Sequence, residues 1–305
     1  RFTDSEVAYV VEDSGATYVV EPDAELPNGE PSVTEGLEGD DDAAGALVFP
    51  AGSDPAAVVF TLIVDPIDGT RGLMYNKRSA WALFGVALTP PDGRPPTLAD
   101  ITIALQAELP TTRAALADIL WAVRGEGMQG ETHDLRSGSV TAFTPQPSRA
   151  TTLANGFATV CNFFPGAKTL TADIEEQLFA AVMGSPPPGS PQVFTDQYIS
   201  SGGQLYELLV GHDRFVADLR PLIETLHPAK KATTSRLCCH PYDICTELIA
   251  REAGVIVIDP WGQPLRAPLD THTPVAWVGY ANDTLRQLIA PALQRILRER
   301  GLTPG

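Results

Sequence analysis

The chain has 305 residues, 44% of them hydrophobic, and a formal net charge of −17 at pH 7. This length suffices for one large domain or two closely packed halves, and the acidic balance argues against binding to nucleic acid or anionic membranes, which needs a basic face. An acidic protein can still bind a small phosphate ester where metal ions reverse the local field.

No apolar run approaches about 18 residues, and the first residues lack the pattern of a secretory signal, which predicts a cytoplasmic protein without a membrane span. The four cysteines form no C-x-x-C pair, so we expect free thiols in a reducing compartment (Cys161, Cys238, Cys239 and Cys245). The run Cys238-Cys239-His240 leaves a zinc site as an alternative, for which a second pair of ligands is missing.

Residues 7–11 and 16–20 are predicted strands joined by a turn, and residues 23–57 are rich in Pro, Gly, Asp and Glu. A short β segment within this acidic stretch leads to Glu35 and Glu38. Either carboxylate is placed to join a metal cluster with acidic residues further along the chain, and the sequence leaves both candidates open.

Residues 58–64 form an apolar, β-branched run without charge, which predicts a strand buried on both faces. Two carboxylates follow, Asp65 and Asp68, around Pro66, which favours an extended conformation for the residue before it. Two carboxylates as close together as these raise each other's pKa unless a cation lies between them. Because oxygen ligands on a short loop suit Mg²⁺, the sequence predicts a magnesium site at the end of this strand.

Gly69 and Thr70 complete the turn, and their backbone N–H groups and the Thr70 hydroxyl would face an anion beside the metal. Arg71, Lys77 and Arg78 follow as the densest basic cluster of the chain. Two interpretations of this cluster stay open: solvent-facing charges, or a clamp for the substrate phosphate.

Strands and helices alternate along the rest of the chain, with strands predicted at residues 79–88, 101–109, 214–219, 255–258 and 275–279, and helices at residues 172–183 and 284–298. Residues 122–127 are predicted to be a strand that ends in a glycine-flanked turn, Gly-Glu-Gly. A linker-like stretch near residue 146 separates two halves, residues 1–150 and 151–305. Helices alternating with mixed strands indicate layered α/β sheets.

Two short polar segments interrupt the second half. Ser201-Gly202-Gly203 precedes a predicted apolar helix, and Asp218 lies at the end of a predicted strand. His240 and Pro241 begin a further predicted helix that ends at Gly254, since proline is favoured in a first turn and glycine at a helix end. Asp243 falls in that first turn, so we expect its carboxylate to face the positive helix end and project towards the sheet edge.

The motif at residues 65–70, Asp-Pro-Ile-Asp-Gly-Thr, resembles the signature of the inositol monophosphatase superfamily, the lithium-sensitive, Mg²⁺-dependent phosphatases that include fructose-1,6-bisphosphatase. Tyr242-Asp243, followed by Glu-Ala-Gly at residues 252–254, is similar to the superfamily's second motif. Two further segments resemble its mid-chain turn and its substrate-pocket region: residues 122–127, and residues 201–205 with Asp218.

The resemblance implies an α/β (α+β) fold, a layered αβαβα sandwich of mixed sheets of the sugar-phosphatase type. Residues 1–150 would form an N-terminal subdomain that carries the metal-binding motif, and residues 151–305 a C-terminal subdomain that closes the substrate pocket. Because the superfamily includes dimers, a homodimer is compatible with the resemblance.

The resemblance also implies the residues of the site. Two or three Mg²⁺ ions, with Mn²⁺ as an alternative, would be bound by Glu35 or Glu38, Asp65, the Ile67 carbonyl, Asp68 and Asp243. Catalytic roles are implied for Glu35, Asp65, Asp68 and Thr70. Contacts with substrate or phosphate are implied for Gly69, Thr70, Arg71, Ser201, Gly202 and Asp218.

The sequence departs from the superfamily pattern at the pocket rim, where Arg71-Gly72 replaces the usual asparagine and Tyr242 the usual tryptophan. We therefore expect the specificity of this protein to lie near Arg71. The implied reaction is hydrolysis of a small phosphate monoester, inositol phosphate-like or a sugar phosphate, by metal-activated water. Two alternatives stay open: activity of the fructose-1,6-bisphosphatase or 3′-phosphoadenosine phosphate phosphatase type, and a non-catalytic, metal-binding descendant of the fold.

Overall fold

The computed structural model describes residues 60–165, 167–184, 189, 191–226 and 238–303. These residues belong to one compact unit, Pro55–Gly305. The predicted strands at residues 7–11 and 16–20 lie outside the described residues, as do the candidate metal ligands Glu35 and Glu38.

The first sheet has six strands in chain order, each antiparallel to the next: β1 (Phe60–Asp68), β2 (Ala80–Leu88), β3 (Ile101–Leu109), β4 (Leu116–Val123), β5 (Gly127–Asp134) and β6 (Val140–Phe143). The prediction of mixed sheets is wrong for this one, because short connections between successive strands favour antiparallel neighbours. The predicted glycine-flanked turn joins β4 to β5.

Among the described strands, β1 lies at one edge of this sheet, and its exposed side chains show that the prediction of burial on both faces is wrong. Its residues alternate in burial: Ile63 is 6% exposed, whereas Phe60 and Leu62 are 60% and 54% exposed. Leu88 and Ile103 on the neighbouring strands are also exposed. One face of an antiparallel sheet packs on the core while the other stays accessible, and an apolar run does not reveal which strands do this.

The second sheet has five strands in the order β10-β11-β9-β7-β8: β7 (Gly156–Val160), β8 (Val193–Phe194), β9 (Asp213–Asp218), β10 (Ile256–Ile258) and β11 (Trp277–Tyr280). β7 is parallel to both of its neighbours, and the other pairs are antiparallel, so this sheet is mixed as predicted. The two sheets lie on either side of residue 150, and the division into two subdomains there stays a prediction.

Six α-helices accompany the sheets within the described ranges: α1 (Thr70–Met74), α2 (Lys168–Met183), α3 (Ser201–Leu209), α4 (Arg220–Leu226), α5 (Glu247–Glu252) and α6 (Asp283–Glu299). Single 3₁₀ turns occur at Leu98–Asp100 and Pro241–Asp243. In the described part of the chain, no helix is both long and apolar enough to cross a membrane.

The helices complete a layered arrangement. α3 contacts strands of both sheets, and α5 contacts β3 and β4 on one side and β10 on the other, so these two helices form the layer between the sheets. α2 and α6 pack against each other and against β7 and β11 of the second sheet. The layered α/β class is therefore confirmed, and the described residues supply four layers in the order sheet, helices, sheet, helices.

Two helix predictions need correction at their ends. Ser201-Gly202-Gly203 lies in the first turn of α3 rather than before it, because Ser200 caps this helix by accepting the Gly203 N–H at 2.8 Å. The single helix expected from His240 is split into the 3₁₀ turn at Pro241–Asp243 and the separate helix α5. Gly254, at a φ of +89°, follows the end of α5 as predicted.

Candidate metal centre

Asp65 and Asp68 lie at the end of β1 on either side of a β-bulge. Asp65 is paired with Leu83 and Asp68 with Trp81, so three steps along β1 match two along β2. Residues three apart on a regular strand point to opposite faces, and the extra residue in a bulge brings them to the same side. Asp65 and Asp68 are therefore turned together into the interior, where they are 9% and 8% exposed.

The turn after Asp65 is held by its own side chains. The Ile67 N–H donates to Asp65 Oδ1 at 3.0 Å, and the Thr70 hydroxyl donates to the Ile67 carbonyl at 2.6 Å. Gly69 has a φ of +92°, and a Cβ there would lie 3.0 Å from the Cβ of Ser200. Both the left-handed conformation and the close approach of Ser200 favour glycine at this position.

The carboxylate of Asp68 is oriented by the start of α3. Its Oδ2 accepts the Ser200 hydroxyl at 2.8 Å and the Gly202 N–H at 2.6 Å. A Cβ on Gly202 would lie 2.6 Å from Leu83 Cδ2, so this approach of helix to strand needs glycine. Two donors on Oδ2 hold the carboxylate in one orientation.

Asp243 enters from the other end of the chain. It is the last residue of the 3₁₀ turn at Pro241–Asp243, and its Oδ2 accepts the His240 N–H at 2.6 Å. The His240 ring stacks on that of Tyr242 with 5.4 Å between ring centroids. The position of Asp243 in a first turn is thus confirmed, although the turn is 3₁₀ rather than α-helical.

Asp65, Asp68 and Asp243 each offer a carboxylate oxygen, and these oxygens all lie within 4.8 Å of one another. Burial and the charge of Asp243 raise the pKa of Asp65 to about 8. Burial and the charges of Asp65 and Asp243 likewise raise the pKa of Asp68 well above its usual range. A divalent cation would remove this repulsion, and an all-oxygen donor set fits Mg²⁺ or Mn²⁺.

The predicted basic cluster is divided. Arg71 and Lys77 are exposed on and after α1. Arg78 belongs to an internal contact instead: its Nη1 lies 2.8 Å from Asp196 Oδ2, and its guanidinium lies 4.0 Å over the Tyr198 ring. Arg78 is thus ion-paired within the fold, and the two interpretations stay open for Arg71 and Lys77.

Asp218 is fully buried and engaged by Arg220, a residue that sequence reasoning did not single out. Its Oδ1 accepts from Arg220 Nε at 2.8 Å and its Oδ2 from Nη2 at 2.5 Å. The guanidinium also lies 4.8 Å over the ring of Phe163. The expected contact of Asp218 with substrate hydroxyls stays a prediction. In the structure both oxygens of Asp218 are hydrogen-bonded to Arg220.

Ser200, Gln106 and Glu252 contribute to the site or its surroundings and were not predicted to do so. Ser200 carried a readable indication, because a serine before an apolar helical run is typical of an N-cap. Gln106 is fully buried and donates to the Gly202 carbonyl at 2.8 Å. A polar residue inside an apolar strand pattern indicates an internal hydrogen-bond partner. The sequence does not identify that partner, because Gly202 lies 96 residues further along the chain.

The Gly-Glu-Gly turn and the Glu-Ala-Gly segment contact each other. Glu252 Oε1 accepts the Gly125 N–H at 2.9 Å, and Oε2 accepts the Gly127 N–H at 3.1 Å. The two segments that resemble superfamily motifs are therefore joined by a carboxylate that closes the turn between β4 and β5. This geometry assigns Glu252 a structural contact.

All four cysteines are buried and carry thiols rather than disulfides, and the expected reducing compartment stays a prediction. Within the described ranges, the carboxylates of Asp65, Asp68 and Asp243 form the one group of three or more His, Cys, Asp or Glu side chains close enough to share a metal ion. The alternative of a zinc site at Cys238-Cys239-His240 receives no further ligand from these residues.

No model of a protein family matches this chain, and no curated protein matches it either. Solved structures do. Leishmania major fructose-1,6-bisphosphatase in its holo form is 15% identical over 77% of this chain and 69% of its own, with a TM-score of 0.52. The same enzyme in its T-state is 14% identical over 79% and 70%, with a TM-score of 0.51. Mycobacterium tuberculosis SuhB is 17% identical over 78% and 72%, with a TM-score of 0.47.

At these identities the similarity concerns the fold. The match to the T-state structure covers 79% of the chain at a TM-score of 0.51. The chain therefore has the fold of fructose-1,6-bisphosphatase, which is the fold that the resemblance of its motifs implies.

Proposed function

We propose that this protein is a Mg²⁺-dependent phosphomonoesterase that hydrolyses a small phosphorylated metabolite, an inositol phosphate or a sugar phosphate. The observation that carries the proposal is the convergence of Asp65, Asp68 and Asp243 within 4.8 Å at the end of β1. Three clustered carboxylates, two of them buried, are costly for the fold alone and are suited to a divalent cation. The fold supports the reaction class by analogy.

In the proposal the metal is bound by Asp65, Asp68 and Asp243 and by the Ile67 carbonyl, with Glu35 or Glu38 as a further ligand. Two or three Mg²⁺ ions are proposed, and Mn²⁺ would fit the same donors. When bound, such a metal stabilises charge on phosphoryl oxygens and lowers the pKa of a coordinated water. Inhibition by millimolar lithium belongs to the same proposal.

Thr70 is proposed to orient the attacking water. Its hydroxyl proton is donated to the Ile67 carbonyl at 2.6 Å, so the remaining lone pairs on its oxygen face outwards as acceptors. A water that donates one proton to Thr70 Oγ1 would be held beside the metal ligands with its own lone pair directed at the phosphorus. Thr70 therefore positions the nucleophile, and a carboxylate of the cluster receives the proton.

Substrate contacts are proposed for Gly69, Thr70 and Arg71 beside the turn, and for Ser201 and Asp218, the last of which is fully buried and paired with Arg220. Arg71 is exposed beside the turn and would bring positive charge to a dianionic ester in an acidic protein. The Gly202 N–H is engaged with Asp68, so its proposed contribution is to hold this ligand in place.

The test is phosphate release from a panel of inositol, sugar and nucleotide phosphate esters, with Mg²⁺ and with EDTA. Wild type should release phosphate from at least one ester in the presence of Mg²⁺, and Asp65→Asn should reduce this by more than about 100-fold. Asp92→Asn, an exposed aspartate in a loop, is the matched control and should stay active.

The same panel separates the alternatives. Selective release from a bisphosphate or from a nucleotide 3′-phosphate would assign those chemistries. If wild type and Asp65→Asn are equally inactive on every ester while both are folded, the enzyme proposal fails and the non-catalytic, metal-binding alternative replaces it.

A further inference from the structure

Gln106 is a fully buried amide in β3, on the face that packs on the helices between the two sheets. Burying an amide is costly unless its groups are hydrogen-bonded. Its Nε2 donates to the Gly202 carbonyl at 2.8 Å, and its Oε1 accepts from the Thr246 hydroxyl at 2.9 Å. Because Gly202 offers an acceptor here and Thr246 a donor, the two ends of the amide are not interchangeable.

These two partners lie next to the carriers of different metal ligands. Gly202 donates its N–H to Asp68 Oδ2 at 2.6 Å, and Thr246 follows Asp243 by three residues at the start of α5. Gly202 is therefore held on both sides, by Asp68 through its N–H and by Gln106 through its carbonyl. A continuous buried hydrogen-bonded path runs from Asp68 through Gly202 and Gln106 to Thr246.

The path connects the two segments that carry the metal ligands. Asp68 and Asp243 each offer an oxygen to one cluster whose oxygens lie within 4.8 Å of one another. Because Asp68 is on a strand and Asp243 on a turn far along the chain, the spacing of their oxygens depends on how firmly the two segments are held together. A buried amide hydrogen-bonded to the supports of both segments opposes their relative movement and presets the spacing of the ligands.

We propose that Gln106 is a positioning residue of the metal centre, which fixes the separation between Asp68 and Asp243 before the cation binds. This inference rests on the proposed function, because it presupposes that the carboxylates bind a divalent metal. Gln106 acts through Gly202 and Thr246 and contacts neither metal nor substrate.

The experiment measures the Kd for Mn²⁺, from the free-ion signal in electron paramagnetic resonance, beside the unfolding midpoint of the metal-free protein. Gln106→Met keeps the length of the side chain and removes both hydrogen bonds, and Mn²⁺ should bind roughly 10- to 100-fold more weakly. Gln129→Met, an exposed glutamine on β5 of the same sheet, is the matched control and should bind as wild type does.

Thr246 supplies a second pair of variants that keeps the inference testable if Gln106→Met does not fold. Thr246→Val removes the hydroxyl with little change in volume and should weaken Mn²⁺ binding, whereas Thr246→Ser keeps the donor and should restore most of the affinity. A role in stability alone would lower the unfolding midpoint of Gln106→Met or Thr246→Val and leave the Kd unchanged, which would overturn the inference.

The failures of the two proposals are distinguishable. If wild type binds Mn²⁺ and folded Gln106→Met binds it equally well, the positioning role is refuted while the metal centre stands. If folded wild type binds no Mn²⁺, the proposed metal centre is refuted, and the positioning role with it.

Discussion

The carboxylate of Asp68 accepts the backbone N–H of Gly202 at 2.6 Å, across 134 residues of sequence. The contact joins β1 of the first sheet to the first turn of α3 in the helical layer beneath it. The candidate site is therefore assembled between layers, and residues that bring the layers close should affect metal binding as strongly as residues beside the ligands.

Gly202→Ala tests this closeness. The added Cβ would lie 2.6 Å from Leu83 Cδ2 and 3.2 Å from Asp68 Oδ2. We expect the free energy of unfolding to fall by about 1–3 kcal/mol, as for other overpacked sites, and the affinity for Mn²⁺ to fall with it. Urea unfolding and Mn²⁺ titration measure the two effects. Unchanged stability and affinity would mean that α3 does not approach β2 as closely as described.

Glu252→Ala tests whether a residue of the Glu-Ala-Gly segment acts in stability alone or also in metal binding. Its carboxylate holds the Gly125 and Gly127 N–H groups, and hydrogen bonds to charged groups typically contribute about 1.5–3 kcal/mol. We expect a loss of that size in the free energy of unfolding, with the affinity for Mn²⁺ retained.

Glu126→Ala is the control for this loss, since Glu126 is exposed in the same turn and its removal should change stability by less than about 0.5 kcal/mol. Loss of Mn²⁺ binding by Glu252→Ala at wild-type stability would contradict the structural role.

Asp213 predicts a pH dependence away from the metal centre. Burial, together with the charges of Glu207 and Asp196, raises the pKa of Asp213 to about 7, although His212 and Arg78 oppose the shift. A carboxyl whose folded pKa is raised stabilises the protein fully below its unfolded pKa and loses that contribution as pH rises through about 7.

Asp213→Asn removes the ionisable group and with it the loss of stability at rising pH. The free energy of unfolding of the variant minus that of wild type should therefore increase by an amount on the order of 2 kcal/mol from pH 5 to pH 8. Urea unfolding at several pH values measures the difference. Asp92→Asn, at an exposed loop position, should follow wild type throughout. A difference between Asp213→Asn and wild type that is constant with pH would show that Asp213 does not titrate in this range.

The sequence was most informative where the chemistry is local. The turn from Asp65 to Thr70 is closed by contacts two and three residues apart, and proline, glycine and carboxylate at those spacings predict it. The place of Asp243 in a first turn is predicted by Pro241, since a proline in a first turn marks the start of a helix. The same pattern does not distinguish a 3₁₀ turn from an α-helix, so the break before α5 was missed.

What could not be predicted depends on contacts between distant segments. The composition of residues 58–64 predicts burial on both faces, yet Phe60 and Leu62 are exposed on the face opposite Ile63, and the composition of a single strand does not reveal which face of its sheet is covered. The bulge at Pro66 and Ile67 is a property of the pairing with β2. The role proposed for Gln106 depends on its hydrogen bonds to Gly202 and Thr246, which come 96 and 140 residues later in the chain.

The most direct test of the central claim is Mg²⁺-dependent phosphate release by wild type and by Asp243→Asn. This residue comes from the distant turn, so its loss breaks the site without changing the Asp-Pro-Ile-Asp-Gly-Thr motif. The account predicts that wild type releases phosphate from a small ester, that EDTA abolishes this release, and that folded Asp243→Asn shows less than about 1% of it. Phosphate release that persists in Asp243→Asn and in EDTA, or its absence from folded wild type with every ester, would contradict the account.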